Sequence, residues 1–177
     1  MQAGGRPAGN AGTTTTNLAI VVEVALRPVE DGDLDALFEQ ARDPAAGWLA
    51  AFTPVDQDVR AAFDARMARQ RAAPDIVQRA ITRDGTLVGS IASFVVDGHT
   101  EITYWVDRAV WGQGIASRAL ALLLDEVRVR PLHARAASDN AGSLRVLRKA
   151  GFQVVGTEVA WANARGAEIE ETLLRLD

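Results

Sequence analysis

This sequence predicts an α/β fold of the α+β kind: one domain with a mixed, mostly antiparallel twisted sheet of about seven strands, flanked by about four helices. Three observations carry that expectation. Asp84-Gly85 and Asp97-Gly98 separate β-rich runs, and Asp-Gly between such runs signals a tight hairpin. Beyond residue 110 the pattern becomes helix, strand, helix, which implies one parallel crossover within the antiparallel sheet. The length, 177 residues, suffices for one full core and falls short of two.

The elements follow in order. Residues 1–17 are rich in Gly, Ala and Thr and read as a disordered tail, with the folded domain over 18–177. Leu18 to Arg27 is β-rich and ends at Pro28. Asp31 or Asp33 caps a helix to about Arg42, with Leu34, Leu37, Phe38 and Ala41 on one face. Pro44 and Gly47 break it, leaving Trp48–Pro54 apolar and irregular. A second helix spans about Asp56 to Arg71, with Val59, Phe63 and Met67 four apart. Three strands follow, Ile76–Thr82, Thr86–Val96 and Thr100–Asp107. A helix then runs to about Arg128, its stripe formed by Ile115, Ala119, Leu122, Leu123 and Val127. Leu132–Ala137 is a strand. Asp139 or Asn140 caps a helix that ends with Arg148, Lys149 and Gly151. Phe152–Val159 and Glu168–Leu176 close the sheet. The predicted order is β-α-α-β-β-β-α-β-α-β-β.

Composition excludes several chemistries. There are no cysteines, hence no disulfide, thiolate metal site or Cys nucleophile, which fits a cytoplasmic protein. The two histidines, His99 and His133, lie far apart in sequence and no HExxH-like spacing occurs, so no metal site is expected. The net charge of −4 is spread along the chain without a Lys/Arg cluster, so nucleic acid is not an expected partner, and no apolar run approaches the ~20 residues a membrane span needs, so a membrane is not either.

The most informative segment is Thr100–Ser117, which runs strand, loop, glycine pair, helix. Glycines let the backbone turn sharply and approach a ligand, and a helix start offers unpaired N–H groups at its positive end. The N–H groups of Gln113, Gly114, Ile115, Ala116 and Ser117 are thus candidates for a pyrophosphate cradle. Alternatively, the glycines only make a tight connection. A P-loop would need GK[ST] where Ile115-Ala116 stand, and a dinucleotide fingerprint would need a glycine at Ser117.

Trp111-Gly112-Gln113-Gly114-Ile115-Ala116 resembles the acyl-CoA loop [RQ]-x-x-G-x-[GA] of the GNAT N-acetyltransferases, with Trp111 replacing the first residue. Residues 138–152, SDNAGSLRVLRKAGF, resemble the N-x-x-S-x-x-V-L-x-K-x-G-F helix of the branch that acetylates ribosomal-protein N-termini (Rim type). The resemblance implies acetyl-CoA as donor and an amine acceptor as partner. It implies two central strands that splay apart, with Trp105, Val106 and Asp107 pairing with pantetheine and the N–H near Val106 polarising the thioester carbonyl. Asn140 would contact the cofactor arm or act only as a helix cap. Glu101 would be the base, or a solvated edge carboxylate. The Tyr acid common in the family, four residues before the glycine of the Gly-Phe pair, is replaced by Leu147. Ser143, one turn earlier, or water would protonate the thiolate. Trp48, Phe52 and Trp161 would line the acceptor pocket. Tyr104 falls on the opposite strand face from Glu101 and is assigned to the core. His99 is a solvated loop residue, His133 is structural, and Glu168, Glu170 and Glu171 form a solvated strand face. A homodimer is compatible with the pattern, though no residue demands one.

Three functions are therefore weighed: transfer of acetyl to a primary amine, a silent acyl-CoA-binding sensor, and a domain holding another nucleotide. Cleavage of acetyl-CoA that depends on added amine separates the first two, and selectivity for CoA over ATP or NAD separates the third.

Overall fold

The computed structural model describes residues 22–177. The proposed tail and the start of the first predicted strand lie outside these residues. The described elements are β1 (Val24–Arg27), α1 (Leu34–Ala41), α2 (Pro44–Ala50), α3 (Arg60–Ala72), β2 (Val77–Arg83), β3 (Thr86–Val96), β4 (His99–Val106), α4 (Ile115–Glu126), β5 (Leu132–Ala137), α5 (Ala141–Lys149), β6 (Gln153–Ala162) and β7 (Ala167–Leu176). Short 3-10 turns over Asp31–Asp33 and Arg108–Val110 precede α1 and α4.

One element was not expected. The first helix ends before Pro44 as expected, but Pro44 also opens a further helix, α2, which contains Gly47 and takes in Trp48–Ala50 of the stretch expected to be irregular. The missing N–H of Pro44 is harmless at the first helical position, and the Asp43 carboxylate accepts from the N–H groups of Ala45 and Ala46 at 2.9 and 3.1 Å. Both hairpin signals hold for the expected reason: Asp84 and Gly85 have φ of 49° and 80°, and Asp97 and Gly98 have 49° and 79°. Two successive left-handed residues match the twist of the flanking strands.

The seven strands form one sheet in the order β1-β2-β3-β4-β5-β7-β6. Only β4 and β5 run parallel, joined by the α4 crossover. On one face, Ile81, Ile91, Ile102, Leu132 and Leu174 of the sheet meet Ile115, Leu120 and Leu123 of α4 and Leu144 and Leu147 of α5. The inward stripe of α4 includes Leu120, which is fully buried, in place of the expected Leu122, which is 36% exposed. On the other face, Ala80 meets Leu37 and Phe38 of α1 and Phe63 and Met67 of α3. Each such side chain, fully buried, contributes about 1.5–3 kcal/mol. The site lies between these two cores, where the sheet itself divides.

Candidate active site

β4 and β5 pair only at Thr100↔Leu132 and Glu101↔His133. Beyond that register the strands separate, leaving one edge of β4 without a strand partner from Ile102 to Val106. Asp107 N–H donates to Val88 of β3 at 2.8 Å. By strand alternation, Val106 and Tyr104 therefore present their backbone groups to the opposite side, into the gap. β3 lies unusually close behind: a Cβ on Gly89 would stand 2.1 Å from the Trp105 carbonyl oxygen, so only glycine fits. The mouth of the gap is the glycine loop. Gly112 and Gly114 both have φ of 75°, and Gly114 caps α4 with no side-chain hydrogen bond. The first N–H groups of α4 thus lack intrahelical acceptors and face outward. The Trp111 indole braces the loop by donating to the Val106 carbonyl at 2.7 Å. Free strand groups beside an outward-facing N–H cradle fit the amides and pyrophosphate of an acyl-CoA.

Different chemistry flanks the gap on its two faces. On the α5 face, Asn140 caps the helix by accepting from Ser143 N–H at 3.0 Å, and its amide donates to the Leu49 carbonyl at 3.0 Å. Asn140 thus ties α5 to α2. Ser143 Oγ lies 2.8 Å from the Tyr104 hydroxyl. Leu147, at the position where the family pattern carries a tyrosine, is buried in the core.

On the opposite face, Glu101 and Arg135 stand together, with Arg135 Nε donating to Glu101 at 3.1 Å. Arg135 also donates to Glu158 at 2.6 Å and lies 3.7 Å from Glu171. Three carboxylates thus share one guanidinium. Burial pushes the Glu171 carboxyl above the usual range, against the pull of Arg135. Alternation divides the acidic run of β7. Glu171 is buried on this face, whereas Glu168 and Glu170 are exposed on the other. The solvated-face expectation therefore fails at Glu171.

The α2 segment covers this face. Ala51, at the end of α2, is fully buried with Ala137 and Ala162, and Phe52 packs against them. Ala51 has φ of 63°, a left-handed conformation rare for alanine. Arg165 holds the segment in place. Its Nε donates to the Trp48 carbonyl at 2.8 Å, its guanidinium pairs with Asp139 at 2.6 and 2.9 Å, and it lies 5.1 Å from the Trp48 ring centre. Trp161, by contrast, pairs with Glu168 on the opposite face of the final hairpin and is 59% exposed. It is apart from Trp48 and Phe52.

A family model described as the acetyltransferase (GNAT) domain matches residues 23–153. The chain belongs to the GNAT acetyltransferase family. It is 35% identical over 81 residues to the probable N-acetyltransferase YjcK of Bacillus subtilis, a stretch covering 41% of this chain and 45% of that protein. It is 24% identical over 163 residues to the uncharacterized N-acetyltransferase p20 of Bacillus licheniformis, covering 86% and 92% of the two chains. The structure of Mycobacterium smegmatis RimJ in complex with CoA-disulfide superposes with a TM-score of 0.74 at 26% identity, over 86% of this chain and 81% of that one. The GNAT family uses acetyl-CoA as its acetyl donor.

Within this GNAT domain, sequence reasoning missed Arg135, Glu158, Arg165 and the contact of the Tyr104 hydroxyl with Ser143. Arg135 follows His133 by two in a short strand, so alternation together with the parallel pairing of β4 and β5 would have placed it on the Glu101 face. Arg165 sits in a turn and carries no local signal.

Proposed function

We propose that this chain transfers the acetyl group of acetyl-CoA to a primary amine, a protein N-terminus or a small-molecule amine, by direct attack on the thioester. The observation that carries the reading is the divided sheet, with acid-base side chains on both faces of a gap whose mouth is an N–H cradle. The backbone of Gln113 to Ser117 holds the pyrophosphate, and the gap-facing edge of β4 at Val106 aligns the pantetheine arm; the Trp105 carbonyl and the Asp107 N–H, expected to share that task, turn to β3 instead. The Val106 N–H polarises the carbonyl, the electrostatic contribution that most lowers the barrier in acyl transfer. The remaining amide hydrogen of Asn140 is free to meet the arm.

The acceptor approaches on the face of Trp48 and Phe52, where Thr103 of β4 is exposed between Glu101 and Trp105. An alkyl amine is almost wholly protonated at neutral pH, with a pKa of about 10, and an α-amine, with a pKa near 8, is still mostly so. Glu101 takes that proton, directly or through water. The excess of carboxylates around Arg135 supports a cationic acceptor, since a positive charge there is attracted before it is deprotonated. Ser143, on the far side of the gap, returns a proton to the sulfur.

Thermal unfolding with acetyl-CoA, CoA, ATP or NAD tests the donor site. A ligand at about 100 times its Kd adds about 2.7 kcal/mol. Stabilisation by acetyl-CoA and CoA alone is expected; stabilisation by ATP or NAD instead would overturn the reading. Thiol release from acetyl-CoA with spermidine, n-butylamine and a tetrapeptide beginning in Ala then tests transfer. Binding of acetyl-CoA without amine-dependent release would leave a sensor.

A further inference from the structure

Tyr104 is the only tyrosine in the chain. It stands on β4 within the stretch that faces the gap, and its side chain turns to the α5 face, partly buried against the core. Its hydroxyl is 2.8 Å from Ser143 Oγ and 3.3 Å from the Ser143 carbonyl. Burial pushes the phenol above its ordinary value, outweighing the serine contact, so the group is protonated at neutral pH. A partly buried, protonated phenol beside a hydroxyl at the edge of an open gap is a proton store. The hydroxyl it touches belongs to Ser143, to which the reading above gives the leaving sulfur. A serine alone is too weak an acid for that task, and Leu147 supplies nothing.

We propose that Tyr104 is the proton reservoir for the leaving thiolate, acting through Ser143. The proposal rests on the acetyltransferase reading above. The amine nitrogen, already deprotonated from its ammonium form by the base, bonds to the acetyl carbon and gives up its second proton to water as the amide forms. The carbon–sulfur bond breaks with its electron pair going to sulfur. Sulfur takes the Ser143 proton, Ser143 takes the Tyr104 proton, and the phenolate recovers one from solvent as CoA departs. β4 thus delivers from the sheet a phenol that the Leu147 position of α5 lacks.

The test follows the thiol rather than the acceptor. CoA is bound to the full chain, and its thiolate is titrated by ultraviolet absorbance in wild type, Tyr104→Phe, Ser143→Ala and the double variant. Hydroxyls donating toward sulfur favour the thiolate, so the bound thiol of wild type should titrate below free CoA. Tyr104→Phe, which removes one oxygen, should raise it by about one pH unit, a tenfold change. Ser143→Ala should do the same, and the double variant should add little, as expected for one relay. A shift in Ser143→Ala alone, with Tyr104→Phe folded and titrating like wild type, overturns the proposal and leaves serine as sole donor. Wild type that fails to bind CoA overturns the acetyltransferase reading itself. An alkaline limb of kcat displaced in Tyr104→Phe, with the KM for acetyl-CoA unchanged, would be the kinetic counterpart.

Discussion

Gly114 separates two roles that one residue can play, because its stability cost and its affinity cost have different physical origins. Its φ is 75°, and a Cβ built on it meets nothing within 4 Å. Gly114→Ala therefore causes no clash within the protein. Its cost is backbone alone, about 1–2 kcal/mol for an L residue in the left-handed region. At about 2–4 °C per kcal/mol for a domain of this size, melting should fall by about 2–8 °C. Gly114→Asn should recover part of that loss, since asparagine tolerates this conformation better.

Affinity obeys another rule. The empty space around the missing Cβ is where the pyrophosphate would lie against the start of α4. Ala and Asn should both weaken acetyl-CoA, whatever their melting temperatures. Gly114→Asp adds a charge as well. At an effective dielectric of about 20, a unit charge about 5 Å from one phosphate charge costs about 3 kcal/mol, about a hundredfold in Kd. Calorimetric titration with acetyl-CoA, beside melting curves of the free variants, reads both quantities. A folded Gly114→Asp that binds acetyl-CoA like wild type would show that the loop is only a turn.

Other substitutions probe the two faces. Glu101→Gln should lower kcat by about 10²–10⁴ while leaving acetyl-CoA affinity intact; full kcat across about pH 6 to 9 would remove Glu101 from the mechanism. Glu171 holds its proton more tightly folded than unfolded, so its contribution is present below the ordinary carboxylate pKa and is lost as pH rises through the raised folded value. Glu171→Gln should flatten that fall in stability in melting curves taken upward from about pH 4, and an unchanged slope would argue against the buried assignment. Arg165→Ala should free α2 from the final hairpin, raising the amine KM while leaving the acetyl-CoA KM near wild type. Equal rises in both would mean that the segment supports the donor site instead.

How much of this was legible depended on whether the signal was local. The two hairpins were, because Asp-Gly at positive φ is a property of two adjacent residues. The glycine loop was also local, since a strand, two glycines and a helix suffice to specify it. The α2 helix was misread because a proline both ends and begins helices, and only the Asp43 carboxylate beneath Ala45 and Ala46 decides between them. The insertion of β7 between β5 and β6 has no local signature. It brings Glu158 and Glu171 to Arg135. Tyr104 shows the limit most clearly. Alternation along β4 placed it away from Glu101 and toward the core, and both statements hold. What makes it chemically interesting is a serine 39 residues further on, on a helix that only the parallel crossover brings opposite. A strand pattern reports which way a side chain points but not what awaits it there. The hydroxyl contact of this tyrosine is therefore a property of the topology, and the core reading was correct for the ring and silent about the hydroxyl.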